Sequence, residues 1–341
     1  MLRPRPDGHV VAGCPAHDRL REVLGRAGAA DVLAVESCVG RLRALDQRHG
    51  GGRCVDEVVG RLPAALALLD LSVTARIGDS LRTAVADLHN LAGWACFDTG
   101  RTAEALRHFR TALTVAGGDE ALVSNIHYRL GRVHLHHDAP RSAMAEFQSA
   151  ERAARASGSA LALAVVVANQ AWAHAKLGSA GHAVTLMDEA ADHCARARGE
   201  PVAPWAAFFT DVELAAIGGT VHAELARTDS AETGRAVLLL TRAVDGFGPD
   251  RARSRTSSLI SLAVCHLLAG RVDTGTRLGE HAVDLCQTLV SARTTERLGP
   301  LQDAARGQPA HRGARALAVR IHRLRVVGAV PGWPAANVAD W

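Results

Sequence analysis

Apolar residues in this chain recur three and four positions apart rather than in alternation, which predicts amphipathic helices and no strands. Val55, Val58, Val59, Leu62 and Leu66 form one such stripe. An earlier helix precedes it from about residue 39, and Gly50, Gly51 and Gly52 between the two predict a flexible corner. Beyond residue 85 the pattern repeats. "LAGWACFDTGRTAEALRHFRTAL" (91–113) aligns without a gap on "RLGRVHLHHDAPRSAMAEFQSAE" (129–151), 38 residues on, and sets Gly93, Ala105, Phe109 and Ala112 on Gly131, Ala143, Phe147 and Ala150. A third copy, "NQAWAHAKLGSAGHAVTLMDEAA" (169–191), sets Ala171, Ala183, Met187 and Ala190 on the same positions after a further 40. Each unit reads as helix, short turn, helix.

The spacing has a packing reason. A small residue in the first helix lets the second approach closely, small residues in the second keep the crossing tight, and the large one between them fills the groove. Two weaker copies follow, at 217–244 and 262–285; the first needs an insertion, and the second has Gly275 and Gly279 where Ala and a large residue are expected. These small and large residues at fixed steps resemble the tetratricopeptide repeat, although the periods exceed that family's usual ~34 residues. The predicted fold is all-α, a right-handed α-solenoid of tetratricopeptide-like helical hairpins. Its expected parts are an N-terminal segment 1–30, partly irregular, a helical cap 31–85, repeats 86–300, a C-terminal capping helix 301–327 and an irregular tail 328–341. At 311–327 the capping helix shows Leu317, Val319, Ile321 and Leu324 among five arginines.

Composition agrees with close helix packing, since aromatics are only 4% while Ala, Leu, Val and Arg dominate. Lys176 is the sole lysine among 39 basic residues, a bias that suggests a GC-rich genome. The net charge of +4 is mild and the arginines are interspersed with acids, so the chain does not read as a nucleic-acid binder on its own. Seven cysteines without a CxxC pair describe neither a disulfide framework nor a zinc ribbon. No apolar run reaches the ~20 residues that span a bilayer, and the first ten residues lack a signal peptide's apolar stretch, so a cytoplasmic protein is expected.

The stretch most like chemistry is "GRVHLHHDAP" (131–140). With His127 it offers His136, His137 and Asp138 as a metal set, but they supply no fixed tetrahedral spacing. His134 falls in a slot that holds Cys96, His174, His222 and His266 in the other copies, which marks it as a packing position. Asp138 and Pro140 suit a turn and a helix start. His9, Cys14, His17 and Asp18 form a second, incomplete donor set. No nucleotide-binding, zinc-protease or nucleophile-elbow motif occurs; no catalytic residue and no cofactor are expected.

The corner with "LRALDQRHGGG", followed by the "AGWACFDTGR" unit, also resembles the tetratricopeptide sensor region of actinobacterial helix-turn-helix regulators, over roughly 31–325. Before the corner no pair of short helices reads as a DNA-binding domain. That resemblance implies a regulatory scaffold with a ligand in the concave groove. The family's groove register falls on Asp87, Asn90, Trp94 and Phe97, then Asn125, Tyr128 and Arg132, then Trp172 and Lys176, a mixed aromatic, amide and cationic surface. The expected function is non-catalytic binding of a peptide, small signal molecule or partner protein; a homodimer is compatible with the sequence, and no membrane association is expected. Two rival readings stay open: a metal-dependent or cofactor-free biosynthetic enzyme in the groove, and a DNA-binding regulator using either end of the chain.

Overall fold

The computed structural model describes residues 26–327. The calls on 1–25 and 328–341, among them His9, Cys14, His17, Asp18 and the tail, lie outside these residues. Two helices open the fold, α1 (Ala29–His49) and α2 (Val55–Ala67). Five hairpins follow: α3 (Ala75–Asp98) with α4 (Thr102–Val115), α5 (Glu120–His136) with α6 (Pro140–Ser157), α7 (Ala160–Lys176) with α8 (Ala180–Arg196), α9 (Asp211–Leu225) with α10 (Thr233–Gly246), and α11 (Ala252–Leu268) with α12 (Val272–Thr288). A short α13 (Ala292–Glu296) leads to a last pair, α14 (Leu298–Arg306) and α15 (Arg312–Val327). The described residues are helical throughout, with no strand beyond one isolated bridge, and form a tetratricopeptide-like α-solenoid.

The small and large positions do what their spacing requires. Ala105, Phe109 and Ala112, Ala143, Phe147 and Ala150, and in the fourth unit Ala236, Leu240 and Ala243, are all fully buried. Gly93 and Gly131 face the rings of Phe109 and Phe147; a Cβ on them would lie 2.7 and 2.2 Å from ring carbons. The third unit has Ala171 at this slot and places thin, flexible Met187 where the first two have Phe. The fifth unit solves its missing large residue differently. Gly279 leaves the groove empty, and Leu317 of α15 fills it from outside, 2.5 Å from where a Cβ would stand. So α15 caps the array by completing a repeat that lacks its own filler. Leu317 and Ile321 are buried there, Leu324 is partly buried, and Val319 is exposed. The span 301–327 is not one helix: Gly307 and Pro309 break it, and α14 packs beside α15.

Four of the five hairpin turns use a left-handed residue. Gly100, Gly178 and Gly270 take it at φ 81, 77 and 74°, and in the second unit Asp138 takes it at φ 54°. The fourth copy carries its extra residues in its own turn, 226–232, which includes a short 3-10 element (Ser230–Glu232), and a second, longer insertion, the loop 197–210, separates it from the third unit between α8 and α9.

The triple glycine differs from expectation. It is a packed junction rather than a flexible corner, because other backbone lies directly against it. A Cβ on Gly51 would meet Ala95 O at 2.8 Å, and one on Gly52 would meet Val290 at 2.3 Å. The Gly52 N–H donates to Val290 O (3.0 Å) and the Val290 N–H donates to His49 O (3.0 Å). The segment after α12 is therefore bonded to the corner after α1, and α11 packs on α1. The array curls until its two ends meet.

Gly131→Ala is expected to lower stability by about 1–2 kcal/mol in urea melts, since overpacking against Phe147 outweighs the gain in helix propensity of about 1 kcal/mol. Phe147→Met in the same chain should recover most of the loss, as the third unit does naturally.

Candidate functional site

Where the ends meet, a buried ion network forms. Arg253 of α11 donates two hydrogen bonds to Asp46 of α1, at 2.7 and 2.8 Å, and lies 3.3 Å from Asp98 at the end of α3. Asp98 is fully buried and also accepts from Arg293 (2.9 and 3.1 Å), the Ser291 hydroxyl (3.0 Å) and the Gly51 N–H (2.8 Å). Burial alone pushes the Asp98 carboxyl up; Arg253, Arg293 and the Gly51 N–H outweigh it and hold the pKa at about 2. Three segments far apart in sequence thus share one carboxylate.

Beside this network lies a cavity of about 100 Å³, enough for several waters. The first helix of every hairpin contributes to its wall, as do α1, the loop 197–210 and the residues around α13. Trp94, Tyr128, Trp172, Trp205 and Phe208 supply apolar surface. Seven arginines also line it: 43, 129, 132, 251, 253, 293 and 297. Three pack their guanidinium on Trp94, namely Arg293 (4.7 Å), Arg129 (5.2 Å) and Arg253 (5.9 Å). Two pack on Trp172, Arg132 at 4.7 Å and Arg297 at 5.8 Å.

Acidic partners are unevenly shared. Arg43 is paired with Asp87 (2.6 Å), and Arg253 and Arg293 belong to the network. Arg129 donates only to Asn90 O, Arg132 to Asn169 Oδ1 and Arg251 to Phe208 O. The Arg297 guanidinium has no hydrogen-bond or ion-pair partner among the described residues. Burial and the nearby charges of Arg293 and Arg132 draw its pKa down to about 9, while burial and Arg43 draw that of Arg129 to about 10. Glu213 lines the same wall, and burial raises its pKa despite Arg251 and Arg132. The Trp172 N–H is buried without an acceptor.

Of the groove residues expected from sequence, Trp94, Tyr128, Arg132 and Trp172 meet in this cavity. The other five support it or lie apart. Asp87 holds Arg43, and Asn90 donates to Asn125 Oδ1 (3.0 Å) while Asn125 donates to Trp205 O of the insertion loop (3.4 Å). Phe97 is buried behind the wall under Arg293 (5.1 Å), and Lys176 binds Asp138 (2.7 Å) in the neighbouring turn. The metal candidates are not brought together. His127 pairs with Glu146 (2.7 Å), His136 with Glu296 (2.6 Å), His137 with Thr102 (3.4 Å) and Asp138 with Lys176. Among the described residues no group of three or more His, Cys, Asp or Glu side chains is placed to hold a metal ion. The histidine slot of the repeat lies between helices of one hairpin: His174 stacks on His182 (5.3 Å), and His222 bonds Glu232 (2.5 Å). No helix of the described residues is long and apolar enough to cross a membrane.

Sequence reasoning missed Glu213, Ser257 and Thr220, yet the signal was there. Carrying the register of Asp87 and Asn125 into the last two hairpins reaches Glu213 and Ser257, and that of Trp94, Arg132 and Trp172 reaches Thr220. The network residues Asp46, Asp98, Arg253 and Arg293 have no such register.

No protein-family model matches the chain, and no curated protein matches its sequence. Among solved structures, the crystal structure of Rap protein complexed with competence and sporulation factor aligns with a TM-score of 0.48 at 10% identity, covering 88% of this chain and 95% of that one.

Asp98→Asn should cost about 3–5 kcal/mol at pH 7 in denaturant titrations, because two buried guanidiniums lose their shared counter-charge. The folded pKa lies below the ordinary 3.8, so this stabilisation is complete above that pH and is lost as the pH falls towards 2. Between pH 4 and 2 the wild-type chain should lose stability more steeply than the variant.

Proposed function

We propose that this protein is a non-catalytic regulatory scaffold that takes a small signal molecule or the end of a short peptide into the central cavity. One observation carries the reading: side chains from every hairpin and from both ends of the array converge on one aromatic and cationic pocket. Aromatic faces supply apolar burial, and fixed guanidiniums supply orientation. Arginine stays protonated and does not shuttle protons, so this lining suits holding a ligand more than transforming one.

The same convergence supplies a mechanism. A ligand touching Arg132 and Trp172 on α5 and α7 together with Arg297 beyond α13 would bridge the middle of the array to its C-terminal end. It would favour the closed curvature by its differential affinity for that state, and the altered outer surface would be read by a partner. The insertion loop takes part, since Trp205 and Phe208 cover the side of the cavity at Tyr128, where Phe208 stacks at 5.8 Å.

Native mass spectrometry of the chain purified gently from its own host is expected to show a bound small molecule or peptide. Arg132→Ala and Trp172→Leu should each remove it while leaving the thermal midpoint within a few degrees. Adducts retained by both variants would move the site out of the cavity.

A further inference from the structure

The cavity is over-supplied with positive charge, and the excess is local. Seven guanidiniums line it, whereas the acids in or behind its wall are Asp46, Asp87, Asp98 and Glu213. The first three are consumed by Arg43, Arg253 and Arg293. The fourth is driven towards its neutral form by burial. Of the four arginines left without an ion pair among the described residues, Arg129, Arg132, Arg251 and Arg297, two meet at Trp172. Arg132 and Arg297 both lie against its ring, neither has a carboxylate within ion-pair distance among the described residues, and the indole N–H has no acceptor. Crowding like charges in a partly desolvated place costs stability unless something of opposite charge arrives. Among the described residues no acid answers this excess. Glu296, next in sequence to Arg297, is turned away to His136 at 2.6 Å.

We infer that the cavity is an anion receptor: the Arg132, Arg297 and Trp172 cluster binds the carboxylate or phosphoryl group of a ligand whose planar, apolar part lies against the neighbouring aromatic side chains. Guanidiniums suit such oxyanions because their paired N–H groups match two oxygens at once. The partly buried setting strengthens the attraction beyond that of a surface arginine. Inorganic anions alone would satisfy the charge and leave Tyr128, Trp205 and Phe208 unused, so a ring-bearing acid fits the whole lining better. This inference rests on the cavity being the ligand site and adds the charge of the ligand.

Four small probes test it by isothermal titration against the whole chain at fixed ionic strength: phenylacetate, phenyl phosphate, neutral phenylacetamide and inorganic phosphate. Phenylacetate or phenyl phosphate is expected to bind at least tenfold more tightly than phenylacetamide, with inorganic phosphate weaker than phenyl phosphate. Arg297→Gln and Arg132→Gln should each cut the preference for the charged probe over the amide at least fivefold. Arg297→Gln should leave the thermal midpoint unchanged or raise it, since it removes a crowded cation. A short peptide ending in phenylalanine, with its terminal carboxylate free or amidated, separates a peptide source from a small organic acid; the free form should win if the carboxylate belongs to a peptide. Equal binding of phenylacetate, phenyl phosphate and phenylacetamide would overturn the anion assignment and leave the cavity as a ligand site. Failure of all the probes and both peptides to bind would overturn the assignment together with the reading on which it rests.

Discussion

The structure depends on one carboxylate. Asp98 ends the first helix of the first hairpin, and it is where the corner after α1, the start of α11 and the segment around α13 are tied together. Four charged groups are buried there, which is expensive in isolation. The cost is met by completeness: Asp98 accepts from backbone, hydroxyl and guanidinium donors, and Asp46 takes both arms of Arg253. Such a set is satisfied in one arrangement only, so it fixes the register in which the array meets itself. Without it the hairpins would still pair, because their packing is local, but the cavity would lose its fourth wall.

That division between local and distant explains what could be read in the sequence. Gly131, Ala143, Phe147 and Ala150 lie within one hairpin, so their steps appear as a pattern along the chain, and the fold followed from them. The turn role of Asp138 was visible for the same reason. The partners of the network are some 200 residues apart, Asp46 from Arg253 by 207 and Asp98 from Arg293 by 195. In a chain with so many arginines, nothing local separates a buried one from a solvated one. The triple glycine shows the same limit. Its composition announced a bend, but the backbone of Val290, which makes glycine necessary there, is about 240 residues away.

The cavity lies between these cases. Trp94, Arg132 and Trp172 share one register of the repeat and were legible as groove residues. Asp87 and Asn90 share the groove helices but are turned to other work, because α1 covers that end and Arg43 claims Asp87. Arg251 and Arg297 belong to turns rather than to repeat helices, and the loop carrying Trp205 and Phe208 is the long connection that separates the third copy from the fourth. What lengthened the spacing between the third and fourth copies became part of the wall around the site.

The bond between Val290 and His49 has a consequence for how such a chain can change over time. An open solenoid gains or loses whole units at little cost, since each hairpin touches only its neighbours. Here the last turns must arrive beside the first, so duplication of a single hairpin would carry Arg253 and Arg293 past Asp46 and Asp98. Closure of this kind leaves point substitutions and loop lengths open to change but holds the number of hairpins fixed. In this molecule closure acts as a counting device.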